Sequence, residues 1–143
     1  MLMLSLSAAT AAAAPLSGLR TVVVGAGPAG LLLSHRLLDA GASVELLEGR
    51  PDPRTPGYLE GRAYALGLGL RGRTAIRTVD ESLWQAVAAK GFPSDRFTLH
   101  LGPFKVDLRT PDDSNSEPSI LLYQSDLCAA LLEELNQRHG ARF

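Results

Sequence analysis

The run Thr21-Val22-Val23-Val24-Gly25-Ala26-Gly27-Pro28-Ala29-Gly30 constrains the fold more than any other part of this chain. A β-branched run such as Thr21 to Val24 suits a strand buried on both faces of a parallel sheet. It breaks at Gly25, where the chain must turn sharply. Gly27 has no Cβ, so a pyrophosphate can approach its backbone, and Gly30 lets the following helix pack close to the strand. Pro28 and Ala29 belong to the first turn of that helix, where the missing proline N–H costs nothing. The free amides of a helix start, added to the helix dipole, favour a phosphate bridge. A second strand, Ser43 to Leu47, then delivers Glu48 to its carboxyl end. A carboxylate about 20 residues beyond such glycines accepts hydrogen bonds from ribose hydroxyls and repels a 2′-phosphate. Strand, glycine turn, helix, second strand and acid together predict a dinucleotide site.

The 143 residues suffice for one domain with a core. A net charge of −1 gives no reason to expect nucleic acid as a partner. One cysteine, Cys128, rules out an internal disulfide, and its neighbours Leu127, Ala129, Ala130 and Leu131 predict a buried helical position. No apolar run reaches the roughly 20 residues that span a bilayer. Residues 1–18 are rich in Ala, Ser and Leu, and the first acid is Asp39. They are expected to be a leader, either targeting or disordered, which leaves residues 19–143 for the fold. An organelle and the cytoplasm both stay open as the compartment.

Further along, Leu31, Leu32, Leu33, Leu37 and Leu38 predict a helix with a broad apolar face, ended by Asp39-Ala40-Gly41. His35, in its middle, is expected to take a packing or a solvent role rather than touch a ligand. Three prolines and two glycines between Gly49 and Gly57 predict a loop. From Gly61 to Arg73, small residues alternate with leucines between flanking arginines. This segment is expected to line a ligand, or else to be a short strand, a glycine loop and solvated arginines. Thr74 to Val79 predicts a helical turn, and Asp80 caps a helix through Lys90, with Trp84 on its apolar face. Arg96 to Leu101 and Phe104 to Leu108 predict a β-hairpin around Gly102-Pro103. Ser119 to Tyr123 is a further strand, and Ser125 is expected to cap a helix through about His139, which suits the negative end of that helix. The chain reaches Ala141-Arg142-Phe143 where another strand is due, so the expectation is an incomplete domain, a fragment or a partial gene model.

Several of these stretches resemble the flavin-dependent aromatic hydroxylases with the p-hydroxybenzoate hydroxylase fold, and among them the kynurenine 3-monooxygenase branch. Val22 to Leu31 is similar to the N-terminal FAD motif of that group. Glu48-Gly49-Arg50 resembles its acid and arginine at the second strand's tip. Gly61-Arg62 through Leu66, with Arg71-Gly72-Arg73, resembles the pattern specific to the kynurenine branch. Tyr123-Gln124-Ser125-Asp126-Leu127 is similar to the segment that reaches across the isoalloxazine region.

The resemblance implies an α/β fold, a Rossmann-like FAD-binding domain that is incomplete and carries a β-hairpin insertion. It implies that Gly25, Gly27, Pro28, Ala29 and Gly30 hold the FAD pyrophosphate, and that Glu48 holds the adenosine ribose beside Gly49 and Arg50. Arg62, Leu66, Gly67 and Gln124 would then face the flavin. The implied activity is hydroxylation of a small aromatic substrate with NAD(P)H and O₂, in which the flavin carries the redox chemistry. The present stretch alone is expected to be inactive. A different class, a non-catalytic nucleotide-binding module or an inactive truncated product, shares the glycine motif. An NAD-dependent dehydrogenase shares it too, but the hairpin interrupts the strand–helix alternation such an enzyme needs. No zinc-type Cys/His cluster and no supported Ser-His-Asp arrangement is present in the sequence.

Overall fold

The computed structural model describes residues 14–55, 58, 64–109 and 117–140. The motif segment folds as read: β1 (Arg20–Val24), α1 (Pro28–Asp39) and β2 (Ser43–Leu47) form the start of an α/β domain, with β1 and β2 parallel from Arg20 opposite Ser43 to Val24 opposite Leu47. α1 ends at the expected place because Gly41 takes a φ of 93°, a left-handed conformation that suits glycine. Of the expected leader, residues 1–13 lie outside the described residues. Residues 15–18 form a turn, and the Leu16 N–H donates to the Ala40 carbonyl at 2.9 Å, tying it to the end of α1.

Beyond β2 come β3 (Ala65–Leu68), α2 (Leu70–Arg77), α3 (Glu81–Ala88), β4 (Phe92–Ser94), β5 (Phe97–Leu101), β6 (Phe104–Arg109), β7 (Ser119–Tyr123) and α4 (Gln124–His139). A three-stranded antiparallel sheet has β7 at its centre, with β3 on one side and β4 on the other, and β5 and β6 form the expected hairpin. The core lies where α1, α3 and α4 meet. Leu31 and Leu38 from α1, Leu83 and Val87 from α3, and Leu131 and Leu135 from α4 are all fully buried. His35 is buried among them, with Nε2 3.0 Å from the Leu131 carbonyl, and its ring stands edge-on to His139 at 6.1 Å. Of the packing and solvent roles open to it, the ring takes the first. His139 Nε2 lies 3.2 Å from Asp39 Oδ1, so the end of α4 is tied to the end of α1. Cys128 is buried, as its neighbours predicted, and burial pushes its thiol pKa up.

Four expectations need correction. β1 is buried on one face, not two: Val23 faces the core, whereas Val22 and Val24 are exposed, because the helices cover only one side of the β1–β2 pair. The helix after β3 begins at Leu70, not Thr74, and takes in Arg71-Gly72-Arg73. Arg73 is buried, not solvated. Its Nε meets Glu117 at 2.9 Å, its Nη1 donates to the Pro118 carbonyl at 3.0 Å, and it lies over Trp84 at 5.9 Å. Arg77 lies over the same ring at 5.3 Å, so Trp84 is both a buried core residue and a platform for two cations. Ser125 does not cap α4. The helix starts two residues earlier than that cap implies, at Gln124, straight off β7, with Tyr123 as N-cap and the Gln124 N–H donating to the Tyr64 carbonyl at 2.9 Å. Asp80 does cap α3, accepting from the Ser82 N–H at 2.5 Å. Among the described residues, no helix is long and apolar enough to cross a membrane.

Candidate functional site: a glycine turn facing a carboxylate

At the carboxyl ends of β1 and β2 the chain builds a shallow cradle. Gly25 turns with a φ of 100°, which a side chain tolerates poorly, and its N–H donates to the Leu47 carbonyl at 2.7 Å. Gly27 is the N-cap of α1. It has no side chain to cap the helix, and the first turn carries no acidic residue. The amides there are available to an anion, and the dipole adds to their pull. A Cβ built on Gly27 finds nothing within 4 Å, so the space over the turn is open. A Cβ on Gly30 collides with the Gly25 carbonyl oxygen, which is why strand and helix can lie this close only with glycine there. The two glycines thus serve different ends, one leaving room outside the turn and the other closing the turn itself.

Glu48 stands across from this turn. Its Oε2 accepts from the Ala26 N–H at 2.7 Å and from Arg50 Nη2 at 2.9 Å. Its Oε1 accepts from the Arg50 N–H at 2.9 Å and from Arg50 Nε at 3.0 Å. The side-chain hydrogen bonds from Arg50, then the backbone bonds from Arg50 and Ala26, hold the carboxyl down to about 2. It is therefore ionised at any physiological pH, and acceptor-only. The anchoring Ala26 amide was not singled out from the sequence; its only signal is its place directly after the turning glycine.

Because the folded pKa lies below the ordinary 4.5, this carboxylate stabilises the native state fully above about pH 4.5, and that contribution is lost as pH falls toward 2. The urea midpoint of Glu48→Gln should accordingly fall less than that of the parent chain between pH 5 and pH 2.5. Parallel midpoints over that range would refute the assignment.

The residues expected at the flavin end fall into a second group. Leu66 and Gly67 on β3 pair with Leu122 and Leu121 on β7, and β7 leads directly into Gln124. Gln124 thus follows the end of β7 where Tyr123 meets Ala65, and Leu66 and Gly67 lie one and two residues further along β3. Gly49 and Arg50 follow Glu48 on the exposed tip beyond β2. Pro28 and Ala29 form the first turn of α1. Arg62 lies outside the described residues. α4 packs on α1, and Cys128 lies within electrostatic reach of Glu48 and Arg50, so the early turns of α4 run beside that pair. Among the described residues, no group of three or more acidic, histidine or cysteine side chains could hold a metal.

This arrangement defines an α/β nucleotide-binding domain with an uncapped glycine turn at a helix start and an ionised carboxylate opposite. Residues 19–143 match the family model described as "FAD binding domain", and the chain belongs to that family. It is 35% identical over 122 residues to kynurenine 3-monooxygenase of Stenotrophomonas maltophilia (strain K279a), covering 83% of this chain and 26% of that protein. It is 35% identical over 133 residues to the same-named protein of Xanthomonas campestris pv. campestris (strain 8004), covering 93% of this chain and 28% of that one. Its fold is similar to the tetrameric form of 2-methyl-3-hydroxypyridine-5-carboxylic acid oxygenase, with a TM-score of 0.63 at 21% identity over 83% of this chain and 29% of that one. The chain spans about a quarter of the length of the curated relatives it matches.

FAD is the cofactor of the family, and the residues present fit its adenosine diphosphate half. The open space over Gly27 is where a side chain would obstruct a pyrophosphate, and the uncapped start of α1 offers amides to it. Glu48, held ionised, would supply the acceptor for the ribose.

Proposed function

We propose that this chain is the FAD-binding segment of a flavin-dependent monooxygenase that hydroxylates a small aromatic substrate with NAD(P)H and O₂, in the manner of its kynurenine 3-monooxygenase relatives. Gly25, Gly27, Pro28, Ala29 and Gly30 form the pyrophosphate cradle. Glu48 takes the ribose, with Gly49 and Arg50 at the adenosine end. Arg62, Leu66, Gly67 and Gln124 serve the flavin end. When bound, FAD supplies the redox chemistry that delivers an oxygen atom from O₂ to an electron-rich ring at the expense of a nicotinamide. The protein's work is to bind the diphosphate on backbone amides, to hold Glu48 ionised, and to set the cofactor's orientation through two fixed points.

The observation that carries this reading is the contrast between Gly27 and Gly30. One glycine faces open space at an uncapped helix start, and the other is buried against the turn. A merely structural glycine turn has no need of the first. Purified protein is expected to carry a yellow chromophore with flavin absorption bands. Gly27→Val has an ordinary extended backbone to occupy and open space around it, so it should fold normally yet lose FAD affinity by on the order of tenfold or more. Undiminished FAD binding by Gly27→Val, with an unchanged urea midpoint, would refute the cradle.

A further inference from the structure

The hydrogen bonds to Glu48 carry one consequence beyond its role as a ribose acceptor, and it rests on that role. An ionised carboxylate offers about four lone-pair positions. Here Oε1 accepts from the Arg50 N–H and Arg50 Nε, and Oε2 accepts from the Ala26 N–H and Arg50 Nη2, so all four are taken by the protein itself. A ribose with a free 2′,3′-diol brings two further O–H donors. Sugar and guanidinium cannot both have the carboxylate.

The four donors differ in what it takes to remove them. The Ala26 amide belongs to the turn that joins β1 to α1, and withdrawing it means opening that turn. The Arg50 amide is fixed two residues along the backbone from Glu48. The Arg50 guanidinium sits on a long stem, and its side chain is 55% exposed while that of Glu48 is 21% exposed. It can leave for water by rotating its own side chain, and water satisfies it there. Its two N–H donors, Nε to Oε1 and Nη2 to Oε2, match in number the two hydroxyls of the diol.

We propose that Arg50 is the built-in rival of the nucleotide sugar: its guanidinium holds the carboxylate positions that a free 2′,3′-diol must take, and docking of the diol turns it out. The exchange is two donors for two, so Glu48 ends with four bonds again and stays ionised. Arg50 is thus a positioning residue. It keeps the carboxylate aimed at the turn, and it lowers the apparent affinity for any adenosine by the free energy of the pair it gives up.

The test is a titration of the 143-residue chain with FAD, followed by quenching of flavin fluorescence, and with adenosine by calorimetry. An exposed ion pair is worth up to about 1 kcal/mol, which converts to roughly fivefold in affinity. Arg50→Ala is therefore expected to bind both probes three- to fivefold more tightly, and Arg50→Lys, which has no fork, to fall between it and the parent. Adenosine carries no phosphate, so its tightening separates release of the carboxylate from any attraction of Arg50 for the diphosphate. In a Glu48→Gln background the Arg50→Ala gain should vanish, because the two residues act through one contact. Unchanged or weaker binding by Arg50→Ala, with binding still dependent on Glu48, would overturn the rivalry while leaving the ribose site standing. Binding of FAD that is indifferent to Glu48→Gln, or no binding by the parent chain, would overturn both.

Discussion

Gly30→Ala should cost on the order of 3 kcal/mol of folding stability and take FAD binding with it. Two effects oppose each other at this position. Alanine is the better helix former, by up to about 1 kcal/mol over glycine in a helix interior. Against that, the added methyl would sit on the Gly25 carbonyl oxygen, with the Gly25 carbonyl carbon and Val23 Cγ1 close behind at 3.2 and 3.5 Å. The nearest obstruction is backbone, held by the Gly25 N–H bond to Leu47 and by parallel pairing up to Val24, so no side chain can rotate to make room. The helix must move off the strand, and the clash outweighs the propensity. Urea denaturation reads this directly, and a midpoint at or above that of the parent would show that α1 has freedom the packing denies. Comparison with Gly27→Val sharpens the result. That substitution should leave the midpoint in place and remove the flavin, whereas Gly30→Ala should lower both.

How much of this was legible in the sequence depends on whether a local signal decided the outcome. The β1–α1–β2 unit was, because a β-branched run, a glycine that must take a positive φ, a proline at a helix start and a closing glycine all agree. Asp80 was legible as a cap because its side chain bonds an amide two residues away. The misses lie where a distant partner decides. Arg71-Gly72-Arg73 has the look of a loop, yet Glu117 and Pro118, far along the chain, receive Arg73 and let α2 begin at Leu70. Phe92-Pro93-Ser94 contains a proline and gives no strand signal, but it forms β4 at the edge of its sheet, where a missing N–H is tolerated. Close approach of Gly91 to Ile120 and the Leu121 carbonyl brings it there.

The candidate site divides in the same way. Glu48 and the glycines were placed by spacing alone. The arginine two residues on was expected near the adenosine end, but nothing local indicates that its guanidinium spans both carboxylate oxygens. Nor does local sequence indicate that the amide of Ala26, 22 residues before Glu48, anchors the same group. Those contacts depend on β1 and β2 being adjacent, which is a property of the sheet rather than of either segment.

Leu131→Ala should be the most destabilising of the substitutions considered, by about 2–5 kcal/mol, because a fully buried leucine leaves a cavity that its neighbours refill only in part. Leu131 belongs to α4, which packs on α1, and its carbonyl holds His35 Nε2 at 3.0 Å. The loss should be visible as a lowered urea midpoint at pH 7.5, and a change within the scatter of surface substitutions would contradict the packing described. The same interface sets a pH arm. Burial, foremost, holds the pKa of His35 below the ordinary 6.5; the Leu131 carbonyl and Asp39 push it up, and Arg138 and His139 add to the lowering. The native state therefore favours the neutral ring, the unfolded chain takes up the proton first, and stability present above pH 6.5 declines as pH falls below it. Parent and Leu131→Ala should both be weaker at pH 5.5 than at pH 7.5, with the variant, starting from the smaller reserve, the first to unfold. Since the proposed cradle uses the amide start of α1 and α1 buries His35 against α4 along its length, loosening this contact should release flavin and melt the domain in a single transition.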